Sequence, residues 1–257
     1  MTAVTAPATE PRASFGGAFA SEWLKARSLR STWWLVSSAI VSSVILTMFW
    51  TVADSSPTEA SILDSVAGGF FACAIVLVLL GTILATADYE NGAIAVYLAA
   101  VPRRTPLVLA KVLLAGVLGF AVSTASMLLT FLVSVALRGG GASLTAPEVV
   151  RVLADIVVYG TCLTIIATSV GLVFRSTIAA VGVTLGFVYI VPIIISLIPL
   201  DAFALFSATF PGNAATNFFT VAQDPSRLDP VAGLIATALW TAAWVVFATF
   251  WVKRRNA

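Results

Sequence analysis

Six apolar runs, each long enough to cross a bilayer, constrain this chain before any other feature does; they cover residues 32–53, 66–87, 107–137, 152–174, 178–198 and 231–252. A hydrocarbon core about 30 Å thick takes about 20 apolar residues in a helix. Inside it every backbone N–H and C=O must find its partner within the protein, so only helices or a closed barrel can cross. A barrel strand would alternate polar and apolar residues, and these runs do not. The expected fold is therefore an all-α membrane protein with six transmembrane helices. Composition agrees: the chain is 60% hydrophobic and 10% charged, with a mean hydropathy of +1.02, where a soluble domain has roughly a quarter of its residues charged.

What lies between the runs sets the rest of the layout. Residues 1–14 are rich in Ala, Thr and Pro and read as a disordered tail, leaving residues 15–257 as one membrane domain. Phe15, Phe19 and Trp23 then recur every four residues beside Lys25, Arg27 and Arg30, the pattern of an amphipathic helix on a membrane surface. Trp33–Trp34 and Phe49–Trp50 mark the two interfaces of the first span. The third run is long enough to tilt or to begin as an interfacial helix, and Gly139-Gly140-Gly141 ends it. Arg175-Ser176-Thr177 leaves room only for a hairpin between the fourth and fifth spans. From Pro199 to Pro230 the chain is too apolar for a solvated loop and too broken for a span, so short extracellular re-entrant helices are expected there. Basic residues then give orientation through the positive-inside rule. With a cytoplasmic N-terminus, Arg12, Lys25, Arg27, Arg30, Arg103, Arg104, Lys111, Arg175, Lys253, Arg254 and Arg255 lie inside, and only Arg138, Arg151 and Arg227 lie outside. Both termini are expected to be cytoplasmic.

Several chemistries are excluded. The chain has no histidine, which removes the usual catalytic triad, haem ligation by histidine and histidine-containing zinc motifs. Cys73 and Cys162 fall inside apolar runs and read as small packing residues, so no metal site is expected. The N-terminus lacks the charged start and apolar core of a cleaved signal peptide, and the first span is expected to stay in the mature protein. No charge falls in the middle of a span, and Asp155 lies near an outer end, which argues against a proton antiporter or an intramembrane protease. No GxxxxGK[ST] loop is present to bind a nucleotide, and the basic residues form no nucleic-acid face. Ser123, Ser126, Thr130 and Ser134 share one face of the third span, and Thr161, Thr164 and Thr168 one face of the fourth, as residues that pack helices together. Gly182 and Gly186 make a GxxxG spacing suited to close approach in a bundle or a dimer, and Pro192 should kink the fifth span.

The stretch from Ala87 to Lys111, ADYENGAIAVYLAAVPRRTPLVLAK, stands apart. Asp88, Glu90, Arg103 and Arg104 flank an uncharged, helix-compatible patch from Gly92 to Ala100 between two bilayer-spanning runs, a natural place for the membrane domain to meet a soluble partner. This loop, the SEWLKARSLRSTWW segment (Ser21 to Trp34) and FPGNAATNF (Phe210 to Phe218) together resemble the ABC-2 type permease subunits of bacterial ABC transporters. The resemblance implies a bacterial plasma-membrane exporter subunit without enzymatic activity of its own. It further implies a coupling helix between the second and third spans that docks on a separate ATPase subunit, with ATP and Mg bound there, and a second permease copy or related permease as partner. On that basis Asp88, Glu90, Gly92, Arg103 and Arg104 are expected to form the partner-binding coupling segment, and Gly182 and Gly186 the dimer packing. Ala93 stands where the family commonly has Thr. A membrane-anchored immunity or assembly factor that transports nothing is the competing reading.

Overall fold

The computed structural model describes residues 15–54, 60–90, 104–138, 146–217, 219 and 227–254. They form helices, with no strand among them. In order these are α1 (Phe15–Ser28), α2 (Arg30–Ala53), α3 (Ala60–Glu90), α4 (Arg104–Leu137), α5 (Ala146–Phe174) and α6 (Thr177–Leu185). A π-helical turn, Gly186–Ile190, leads into α7 (Val191–Ser196), α8 (Asp201–Ala208), α9 (Pro211–Ala214) and α10 (Pro230–Arg254). Among the described residues, six stretches are long and apolar enough to cross a membrane: α2, α3, α4, α5, the α6–α7 unit and α10. The 1–14 tail and the triple-glycine break lie outside the described residues.

Burial separates a core from a periphery. In α5, 78% of the apolar stretch is buried and in α3 61%, against 22% for α2 and for the fifth span. The outer helices present their apolar side chains outward, among them Trp34, Ile45 and Phe49 of α2, Ile178 of α6 and Phe250 of α10. In water such a surface would be costly; facing lipid or a second membrane subunit it is not.

Lipid tails are as apolar as leucine, so helix association here depends on close packing and polar contacts between helices. Glycines supply the close packing. A Cβ on Gly81 of α3 would sit 2.5 Å from the Thr164 carbonyl oxygen of α5, and one on Gly171 of α5 would sit 2.7 Å from the Cβ of Ala85. Hydroxyls supply the contacts. Thr168 Oγ1 donates to the Gly81 carbonyl at 2.9 Å, Cys73 Sγ to Ser126 Oγ at 3.4 Å, and Thr51 and Ser134 share a hydrogen bond of 3.3 Å. The Ser and Thr faces of α4 and α5 are thus packing faces, with Ser123, Ser126, Ser134, Thr164 and Thr168 all fully buried.

The fifth span is interrupted at the expected place but in a more specific way. Pro192 has no N–H to donate to Val188 in α register, and the chain takes a π turn over Gly186–Ile190 before α7 resumes. The backbone of α9 comes up against this turn at Gly212, where any Cβ would strike the Val188 carbonyl. Phe187 of the turn meets Phe210 in a tilted contact and Trp240 and Trp244 edge-on, at centroid distances of 5.2, 5.0 and 5.5 Å, which ties the turn to α10.

Candidate functional site

The strongest concentration of polar chemistry sits where α1 meets the end of α3 and the start of α4. Glu22 and Lys25, one turn apart on α1, form an ion pair of 2.6 Å. Lys111 reaches them from the second turn of α4. Its ammonium lies 2.8 Å from Glu22 Oε2, 2.7 Å from Asp88 Oδ2 and 3.0 Å from the Leu84 carbonyl. An ammonium has three protons to donate, and all three are used. Asp88 also lies 3.4 Å from Lys25. The cluster holds two cations and two anions, and Lys111 and Glu22 are only 3% and 4% exposed.

Each member is placed for a local reason. Glu22 and Ala26 are the buried residues of α1, one turn apart, so this face of the helix rests on α4. Asp88 sits in the last turn of α3, where the helix dipole disfavours an anion. Lys111 offsets that by contacting both the carboxylate and the carbonyl of Leu84, one turn further into the helix. Charged hydrogen bonds of this length are roughly twice as strong as neutral ones, and the cluster therefore fastens α1, α3 and α4 at one point. A third cation lies nearby, where Arg175 stacks over the ring of Tyr89, the residue after Asp88, at 5.0 Å. Arg175 is also the one non-glycine residue with positive φ, 57°, among the described residues, at the tight α5–α6 turn. At the opposite end Arg138 pairs with Asp54 at 2.8 Å and joins the ends of α4 and α2.

Among the residues proposed from sequence, Asp88 is thus held inward by lysines. Glu90 ends α3 and Arg104 begins α4. Gly92 and Arg103 lie outside the described residues. A Cβ on Gly182 or Gly186 would meet no heavy atom within 4 Å, so among the described residues neither glycine allows a close helix approach. The close approaches are made by Gly81, Gly119, Gly160 and Gly171 instead. Sequence reasoning passed over Glu22 and took Lys111 as a flanking positive charge. The available signal was their isolation: Glu22 on the face of Phe15 and Phe19, and Lys111 as the lone charge within the apolar third run. Among the described residues no group of acids and cysteines could hold a metal ion.

Toward the other end of the bundle a cavity of about 590 Å³ opens between α2, α3, α5 and the π turn. Trp50, Phe71, Tyr159, Tyr189 and Phe219 line it, with Arg227 among the lining residues. Its size suits a drug-sized molecule.

A six-span helical bundle with an N-terminal helix tied to it by charge defines a polytopic helical membrane protein. Residues 18–198 match the model of the ABC-2 family transporter proteins, and the chain belongs to that family. No curated protein matches the sequence. Family membership makes this a permease subunit of an ABC transporter, a membrane transport component.

Proposed function

We propose that the chain is the membrane subunit of an ATP-driven exporter, coupled through residues 88–104 to a separate ATPase subunit that binds ATP and Mg. In this reading it sits in a bacterial plasma membrane with both termini cytoplasmic and pairs with a second permease. The observation that carries it is the ionic cluster, which pins the head of the 88–104 segment to α1 and α4. A segment that passes movement from a soluble motor to membrane helices needs a stiff attachment, and three helices meeting at buried charges supply one. Asp88 would then hold the segment from within, while Glu90, Gly92, Arg103 and Arg104 meet the ATPase. The sided distribution of basic residues supports the orientation.

The test is charge reversal at Arg103 and Arg104. Charges at a partly desolvated junction mainly set orientation and specificity, and loss of one partner of a buried pair costs about 2–5 kcal/mol. Arg103→Glu with Arg104→Glu should lower recovery of the ATPase with the permease or uncouple hydrolysis from transport, whereas a Gln pair should do so less. Membrane insertion should persist in both. Normal recovery and coupling in an inserted reversal variant would remove the arginines from the docking surface. A permease that purifies with no ATPase under any condition would favour the immunity or assembly reading.

A further inference from the structure

A groove of about 320 Å³ runs between α1, α2 and α4, lined by Trp23, Ala26, Arg27, Thr32, Trp33, Val36 and Leu118. We infer that it is a binding site for an anionic phospholipid, with the phosphate at Arg27 and Arg30 and an acyl chain lying along Trp33, Val36 and Leu118.

Charge points to the sign of the ligand. Lys25, Lys111, Arg138 and Arg151 each have an acidic partner within 4 Å. Arg27 and Arg30 have none among the described residues, both are exposed, and no acid lines the groove. The local acid, Glu22, is already taken by two lysines. Arg27 lines the slot, and Arg30 begins α2 two residues before Thr32, which also lines it; two exposed arginines without an acidic partner at this corner call for an anion that brings its own apolar body.

Depth points to the class of ligand. Val36 lies six residues into α2 from Arg30, about 9 Å along the axis at 1.5 Å per residue. The groove therefore runs from headgroup level into the upper acyl region, the zone that amphipathic Trp side chains favour. Trp33 is fixed there, since its Nε1–H donates to the Arg27 carbonyl at 3.0 Å. That bond also holds the α1–α2 corner in shape and keeps Arg27 at the mouth. A free inorganic anion would leave the apolar walls unused, and a neutral apolar molecule would leave the arginines uncompensated.

The leaflet follows from the cytoplasmic N-terminus proposed above; the site itself does not depend on it. The full-length chain, purified and delipidated in neutral detergent, would be titrated with phosphatidylglycerol and with phosphatidylcholine of the same acyl chains, and bound lipid counted by native mass spectrometry. Neither ATP nor a partner is needed, so failure of the exporter reading leaves the result unaffected. Phosphatidylglycerol should bind more tightly, and Arg27→Gln with Arg30→Gln should cut that preference by roughly 30-fold, the product of two surface cations. Leu118→Trp, which fills the groove, and Trp23→Ala, which opens its wall, should weaken both lipids. Equal affinity for the two lipids in the parent chain would overturn the inference. So would unchanged phosphatidylglycerol binding in both groove variants, because the arginines would then be a general surface charge. If the Gln pair keeps its lipid yet loses an ATPase subunit, the arginines belong to a protein interface and the lipid assignment fails.

Discussion

The ammonium of Lys111 stands 2.8 Å from the Glu22 carboxylate, so α4 is fastened to a helix 89 residues earlier in the chain. A buried ion pair adds little net stability over well-packed apolar residues, because desolvation offsets most of the attraction. What it does is make α1 inseparable from the bundle. Any displacement of α1 from α4 must expose or strand a charge.

The first prediction follows from that asymmetry. Lys111→Met leaves two carboxylates facing Lys25 alone, and stranding a buried charge costs about 3–5 kcal/mol. Thermal unfolding in detergent should show the loss for Lys111→Met and a smaller one for Glu22→Gln. The double variant should be less damaged than the sum, with a coupling energy of about 0.5–3 kcal/mol. Simple additivity would show that the contact does not hold α1.

The second concerns the glycines that pack helices. At Gly81 a Cβ would meet the Thr164 carbonyl at 2.5 Å, and a backbone atom in a central helix cannot step aside cheaply. Gly81→Ala should lower thermal stability by about 1–3 kcal/mol, the usual cost of overpacking. Gly182→Ala should leave it unchanged or raise it by up to about 1 kcal/mol, since nothing lies within 4 Å and alanine is the better helix former. Equal effects at the two positions would mean that α3 and α5 can shift apart at no cost.

Apolar run length alone made the spans legible, because the bilayer imposes it: all six fall within a few residues of where the sequence puts them. The cluster was not legible. Lys111 is four residues inside an apolar run, and a snorkelling lysine and a buried one look alike until the partner's position is known. Glu22 is distant in sequence, and only the fold brings it within reach. The glycine packing was hidden for the same reason. GxxxG at Gly182 reads as a motif by spacing, whereas Gly81 and Gly171 matter through a neighbour on another helix, Thr164 and Ala85 respectively. The π turn was half legible: Pro192 announces a break, but the partner backbone at Gly212 does not show in a linear reading.

Orientation gives a third prediction. Cys73 is fully buried and Cys162 partly so, so replacing both by Ala should give a labelling background free of thiols. Single cysteines at Ser56 and Asp224 should then react with a membrane-impermeant maleimide from outside intact cells, and one at Thr105 only after the membrane is opened. Labelling of Thr105 from outside would invert the topology and with it the coupling argument.

The last prediction concerns the face of the fifth span. Ile178, Gly182, Gly186 and Ile190 follow one another at intervals of four, and Ile178 is 86% and Ile190 56% exposed. We propose that this stripe packs against a second permease, where small residues allow backbones to approach. Because both glycines face open space within the chain, Gly182→Leu with Gly186→Leu should fold and insert normally. Its effect, if any, therefore falls on an interface between chains and not on the bundle. A cysteine at Ile178 should crosslink to its counterpart in membranes of the parent chain, and the Leu pair should reduce that yield several-fold by holding the helices apart. Thermal stability of the detergent-solubilised protein, measured alongside, separates lost association from misfolding. An unchanged yield in a stable Leu variant would place the subunit interface on another face, with α2, whose apolar stretch is equally little buried, the next to test.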